Sequence, residues 1–416
     1  MTSDSSLARR DPYAALRHPD FRLLLTGRFI ASFGMEILSF AIGWELWLRT
    51  KEAFILGLVG LVQVVPVVFL SLHAGHVADQ FNRRRTVALA QTLTGISALG
   101  LAYLSYTEGS LALIFLCLFG VGVARAYNDP ALSALVPETV PASLFSSAAT
   151  WNSSAWQTAS IMGPAAAGAV VAWLHQVSVL YIVEAFFVFS FIIFVALMQS
   201  KPLPLAKKAE TWESLREGLR FVRGNKIILS AITLDMFAVL FGGAVALLPI
   251  YATDILKVGA DGLGIMRAAP SIGALLMAFA LAHLPPMKNA GRALLWAVAG
   301  FGAATVVFGL SIWFWLSVAM LALLGGLDNI SVVIRATLLL TQPPNEMRGR
   351  VSSVNSIFIG ISNELGSFES GFAAALFGPV FAVVGGGIIT VLVVLASSKI
   401  FPELTALKTL DAPEQA

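Results

Sequence analysis

The strongest constraint on this chain is a series of long apolar runs almost free of charge. Residues 55–72, 111–124 and 293–310 approach the ~20 residues a helix needs to cross the hydrocarbon layer of a bilayer. No water reaches the backbone there, so a crossing segment must be a helix or a strand of a closed barrel. These runs lack the alternation of a barrel strand and outrun its ~10 residues. Composition agrees: 57% of the 416 residues are hydrophobic and 12% charged, against roughly 25% charged in a soluble domain. Too few charges remain to cover a globule. The expected fold class is an all-α membrane protein.

Twelve spans are predicted, near 22–48, 54–78, 85–106, 110–135, 147–173, 178–199, 227–252, 262–284, 292–311, 313–340, 352–376 and 379–400. The polar stretch 201–226 divides them six and six, giving bundles at 1–200 and 227–416 joined by a linker. Within the linker Trp212, Leu215, Leu219 and Val222 recur at helical spacing, as expected of a helix lying on the membrane surface or of a solvated one. The halves echo each other at an offset of 206: Pro137 matches Pro343, and Ser146-Ser147 matches Ser352-Ser353. Weak internal symmetry of this kind accompanies carriers whose substrate site lies between two pseudo-symmetric bundles.

The net charge of +3 matters less than where the cations fall. With both termini inside, only Arg49, Lys51 and Lys257 of the 27 basic residues lie in outer loops, and Arg28, Arg125, Arg267 and Arg335 lie within spans. Cations are retained on the cytoplasmic side, so this bias predicts cytoplasmic termini. The basic balance therefore reports topology, and no nucleic-acid partner is expected. The N-terminal stretch, with Arg9, Arg10 and Arg17, lacks a cleavable signal pattern. The single cysteine, Cys117, excludes a disulfide framework and makes a poor metal site. No phosphate-binding G-x-x-x-x-G-K-[ST] loop, H-E-x-x-H or nucleophile elbow is present. Neither an enzyme nor a cofactor is expected.

Between spans two and three stands Gly75-His-Val-Ala-Asp79-Gln-Phe-Asn-Arg83-Arg84-Arg85. The glycine permits close helix approach, the acid four residues on shares its face, and the arginines can pair with that acid. The segment resembles the loop signature of the major facilitator superfamily, with Gly75, Asp79, Arg83 and Arg84 matching and Gln80 and Asn82 departing. Asn tolerates the left-handed turn usually given to glycine, so the departure at Asn82 is mild. Residues 125–138, then Gly163-Pro164 with Gly168, then residues 348–353 and 363–371, look like the enterobactin-exporter-like branch of that superfamily. That branch includes siderophore, drug and unassigned exporters. Gly163-Pro164-x-x-x-Gly168 also resembles the core of the antiporter motif of span five.

Ionisable groups within spans are costly and face a cavity or a partner. The candidates are Glu36 in span one, Arg125 and Asp129 in span four, Glu184 in span six, Asp235 in span seven, Asp328 and Arg335 in span ten, and Glu364 and Glu369 in span eleven. The resemblance implies that spans one, four, seven and ten line the cavity, placing Glu36, Asp129, Asp235 and Asp328 there. Arg125 with Asp129 can instead be a structural pair, and Glu364 and Glu369 can hold neighbouring helices. Glu36 has no cation within four residues, so it must be protonated, solvated or paired across the bundle.

The resulting expectation is a monomeric, multi-pass carrier of the bacterial inner membrane, exporting a siderophore-like or amphiphilic small molecule in exchange for protons. A lipid or lysolipid flippase and a non-transporting sensor on the same scaffold stay open, and membrane lipids are expected partners in every case. A reporter fused after Gly109 or Gly259 should be periplasmic, and one fused after Ala209 or Asn289 cytoplasmic. Opposite results at two of these sites would overturn the topology.

Overall fold

The computed structural model describes residues 11, 13–199, 211–285, 287–344 and 346–408. Among them the spans are one (Pro19–Thr50), two (Ala53–Gln80), three (Arg83–Tyr106), four (Leu111–Leu135), five (Phe145–Leu174) and six (Ser178–Leu197). The second set is seven (opening with Lys226–Phe241), eight (Gly259–His283), nine (Ala290–Leu310), ten (Phe314–Thr341), eleven (Arg348–Phe377) and twelve (Pro379–Ile400). Ten of the twelve, taking span seven through Ile255, are long and apolar enough to cross a membrane. Spans five and eleven fall short because both open on polar sequence, Ser146 to Ser154 in one and Ser352 to Ser356 in the other. Neighbouring helices cover them instead: span five packs on spans one and eight, span eleven on spans two and seven.

An even number of crossings puts both chain ends on one face, here the terminal face. Spans one, three, five and seven all end on the opposite, distal face with a non-glycine residue at positive φ: Lys51 (54°), Glu108 (52°), His175 (56°) and Lys257 (54°). Lys51 and Lys257 stand at the repeat offset of 206. The internal symmetry therefore extends to backbone conformation.

One local expectation is corrected, and two segments gain detail. Span seven is not one helix: it stops at Phe241, passes Gly242 and Gly243 into a 3-10 turn at Ala244–Leu247, and resumes through Leu248–Ile250 and a π-turn at Tyr251–Ile255. A Cβ on Gly243 would lie 2.6 Å from the Gly366 carbonyl oxygen, so the break lets span eleven come close. Asn82 is not left-handed (φ −64°, ψ 109°); its side chain accepts from the backbone N–H of Arg84 and Arg85 and caps span three. The linker helix, Thr211–Gly224, lays its apolar face on protein: Leu215, Leu219 and Val222 pack with Ile228, Leu339, Val351 and Val354, while Glu213, Arg216, Arg220 and Arg223 are exposed. Arg350 of span eleven pairs with Glu217 to hold it. The side chain of Trp212 and the boundary at 200–210 lie outside the described residues.

The core is distributed unequally between the faces. At the distal face one cluster joins both halves, with Leu38, Leu46 and Leu56 from spans one and two against Leu248, Tyr251, Leu263 and Met266. At the terminal face each half has its own: Leu24, Val87, Leu135 and Phe191 in the first, Leu234, Leu294, Ile334 and Leu338 in the second. Lipid tails are as apolar as leucine, so helix association in a membrane depends on close van der Waals packing at small residues. The distal seam shows it. A Cβ on Gly371 would lie 2.6 Å from the Cα of Gly57, and one on Gly168 2.5 Å from the Ala260 carbonyl oxygen. Toward the terminal face, Gly75 of span two and Gly360 of span eleven meet no neighbour within 4 Å. The halves are sealed distally and splayed at the terminal face.

Gly371→Leu should therefore prise the distal seam apart. A cysteine replacing Ser39 should react faster with a bulky thiol reagent from the distal side in this variant than in the parent. An unchanged rate would show that the seam does not depend on the glycine contact.

Candidate functional site

A cavity of about 740 Å³ lies between the halves, lined from spans one to eight and eleven. Of the predicted residues, Glu36, Arg125, Asp129, Pro164, Glu184 and Glu364 line it. So do Arg28, Gln63, Gln91, Asn128, Trp156 and Arg267, together with Val245 and Ala246 from the break in span seven.

Glu36 accepts a hydrogen bond from Ser160 Oγ of span five at 3.1 Å. Gly163 explains how the two helices come so near: a Cβ there would lie 2.6 Å from the Cβ of Glu36. The cation acting on Glu36 is Arg267 of span eight, whose Nη1 donates to Ser39 Oγ at 3.0 Å. Glu36 is thus hydrogen-bonded, beside the cavity and faced by a cation from the other half.

Arg125 spans the halves. Its Nη1 lies 2.9 Å from Glu364 Oε1 of span eleven, and its Nε 3.7 Å from Asp129. The tighter partner is across the cavity, so Arg125 is more than a local companion of Asp129. Asn128 donates to Asp129 at 3.3 Å and accepts from Gln91 at 3.1 Å, which places a polar floor under the site. Glu184 is fully buried, its two oxygens without a hydrogen-bond partner, packed where a Cβ on Gly34 would collide with its carboxyl.

Asp235, Asp328, Arg335 and Glu369 do not line the cavity, which corrects the expectation for Asp235 and Asp328. Asp235 and Arg335, each 5% exposed, form an ion pair between spans seven and ten, supported by Ser331 Oγ donating to Asp235 at 3.1 Å. Asp328 stands two turns before Arg335, and Glu369 sits half-buried in span eleven beside Ser370. Span seven reaches the cavity instead through Val245 and Ala246 of its 3-10 turn.

At the loop after span two, Arg83 pairs with Glu138 at 2.7 Å, beyond the end of span four, and Arg84 donates to the Met198 carbonyl oxygen after span six. These contacts tie three helix ends together at the terminal face. Asp79 belongs to the last turn of span two, and its side chain lies outside the described residues. Gly168 and Pro164 form the seam with Gly264 of span eight, so the motif of span five packs the two halves together.

The distal seal closes the cavity. Trp47 Nε1 donates to Thr253 Oγ1 at 2.7 Å, and Lys51 lies 3.3 Å from Asp254 and 4.9 Å above the Trp47 ring. Trp47 and Thr253 are repeat equivalents, touching across the pseudo-two-fold axis.

A family described as Transmembrane secretion effector matches residues 10–414. The chain belongs to this family, and with it to the major facilitator superfamily. It is 25% identical over 372 residues, 89% of either chain, to the enterobactin exporter EntS of Shigella boydii serotype 4 (strain Sb227). Identity and coverage are the same for EntS of Escherichia coli O139:H28 (strain E24377A / ETEC). Among solved structures, an inward-facing, occupied bacterial homolog of the human lysosomal transporter Spinster aligns at TM-score 0.71 and 15% identity, covering 98% of this chain and 100% of that one. A D-xylose–proton symporter aligns at 0.69 and 15%, covering 94% and 98%. These likenesses establish the fold. The chain is a multi-pass membrane transporter, not an enzyme.

Sequence reasoning located Arg28 and Arg267 within spans but did not count them as site residues. A cation in a span is itself the signal, since it requires a partner or a cavity. Removing one member of a buried pair costs roughly 3–5 kcal/mol, because the other charge is stranded. Asp235→Asn should therefore lower the melting temperature sharply, and adding Arg335→Gln should recover part of the loss. Equal melting of parent and single variant would show that the pair is not structural.

Proposed function

We propose that this transporter exports a siderophore-like, amphiphilic small molecule from the cytoplasm by alternating access, driven by protons entering in exchange. The observation that carries the reading is the polar cavity between the halves, sealed at the distal face and splayed at the terminal face. The distribution of basic residues supports a cytoplasmic terminal face, so this state is the one that loads substrate from inside. The relatives' substrate, enterobactin, suggests the class. The fold works as a monomer, with its cavity complete within one chain.

Glu36 is our coupling residue. It borders the cavity, binds Ser160 of span five and faces Arg267 of the opposite half. Its surroundings therefore change whenever the halves move. Outward movement of span eight would take Arg267 away, and a carboxyl left without its cation in low dielectric favours uptake of a proton. Glu364 and Asp129, sharing Arg125, are the supporting pair at the opposite wall.

In proteoliposomes, enterobactin should accumulate against an imposed pH gradient. Glu36→Gln should reduce gradient-driven flux to background while substrate exchange without a gradient survives. Wild-type transport by this variant across pH 6 to 8 would remove Glu36 from the coupling role, and absence of enterobactin flux in the parent would remove the substrate class.

A further inference from the structure

Five of the arginines at or within the spans have a carboxylate partner: Arg49 with Glu45, Arg83 with Glu138, Arg125 with Glu364, Arg335 with Asp235 and Arg350 with Glu217. Such pairing is what the cost of a buried charge demands. The two other cavity arginines, Arg28 and Arg267, depart from it. Neither has a carboxylate within ion-pairing distance among the described residues, although Glu36 acts on Arg267 and Asp129 on Arg28 from farther away. Arg28 has a 3.4 Å contact to Asn152 Oδ1, and Arg267 has Ser39 Oγ at 3.0 Å. The buried Nε of Arg267 has no acceptor at all.

The surroundings of Arg267 show that the space is kept for it. It reaches from span eight of one half to span one of the other, where a Cβ on Gly43 would lie 3.1 Å from Nη2. Arg267 lines the cavity, and its Nη2 donates no hydrogen bond among the described residues. A guanidinium with a free donor at a cavity wall suits a two-oxygen anion. Trp156, 53% exposed on the cavity wall, stands one turn from Asn152, the residue that Arg28 contacts. An aromatic face beside a cation accommodates a flat, anionic ring.

We infer that Arg267, with Arg28 as a second contact, is the substrate-recognition cation of the cavity and selects aromatic compounds bearing a carboxylate. This rests on the reading that the cavity is the substrate site. It adds the charge of the preferred ligand and the residues that read it.

The test uses the purified full chain in phosphatidylcholine nanodiscs, with empty nanodiscs subtracted. The probes are 2-naphthoate, its neutral methyl ester and 2-naphthylmethylammonium, one ring in three charge states. Titration calorimetry should show naphthoate binding about tenfold or more tighter than the ester, the scale of a charge-assisted hydrogen bond. Arg267→Gln should abolish that preference while ester affinity is unchanged, Arg28→Gln should weaken it, and Arg267→Lys should retain part. Arg292→Gln, exposed at the terminal face, should behave as the parent. A preference undiminished in both glutamine variants would overturn the inference, as would a parent that binds the ammonium or the ester as well as naphthoate. Anion selectivity in a parent that moves no enterobactin would support the inference and count against the proposed transport substrate.

Discussion

The structure depends on backbone meeting backbone at the distal seam. Gly57 with Gly371, and Gly168 with Gly264, bring spans two and eleven and spans five and eight together at a distance no side chain would allow. A membrane gives the two halves no hydrophobic reason to prefer each other over lipid, so this contact decides whether they separate. The cavity, its closed end and its exposed charges follow from the seam. So does the reversibility a carrier needs, because a seam of glycine contacts and a few polar pairs is strong enough to hold and weak enough to open.

Charge is arranged unlike in the two halves despite their shared ancestry of pattern. Asp129 of span four and Arg335 of span ten stand at the repeat offset of 206 but carry opposite signs. In the second half the charge is buried against Asp235 and stabilises the bundle. In the first, Asp129 stays at the cavity with Arg125 and Arg28 near it. Of these two equivalent positions, one is tied into a structural pair and the other stays at the cavity wall. The second bundle also carries the linker helix, clamped to span eleven through Arg350 and Glu217.

Much of the site was legible because the membrane makes charge conspicuous. Glu36, Arg125, Asp129, Glu184 and Glu364 stand out in apolar sequence, and each lines the cavity. Asp235 and Arg335 stand out equally, yet bind each other. Cost alone cannot distinguish a charge satisfied by a cavity from one satisfied by a partner three spans away in sequence. The use of Asn82 was open in the sequence, since cap and left-handed turn are both common uses of asparagine, and only the following N–H groups decide between them.

The sequence by itself determined the helical class and the family, because span length and motif spacing are local quantities. Tertiary structure alone decided which face is sealed, where span seven breaks and which arginines lack a partner. Those outcomes depend on contacts between residues hundreds of positions apart, such as Arg125 with Glu364 and Arg267 with Ser39, and no spacing rule along the chain encodes them.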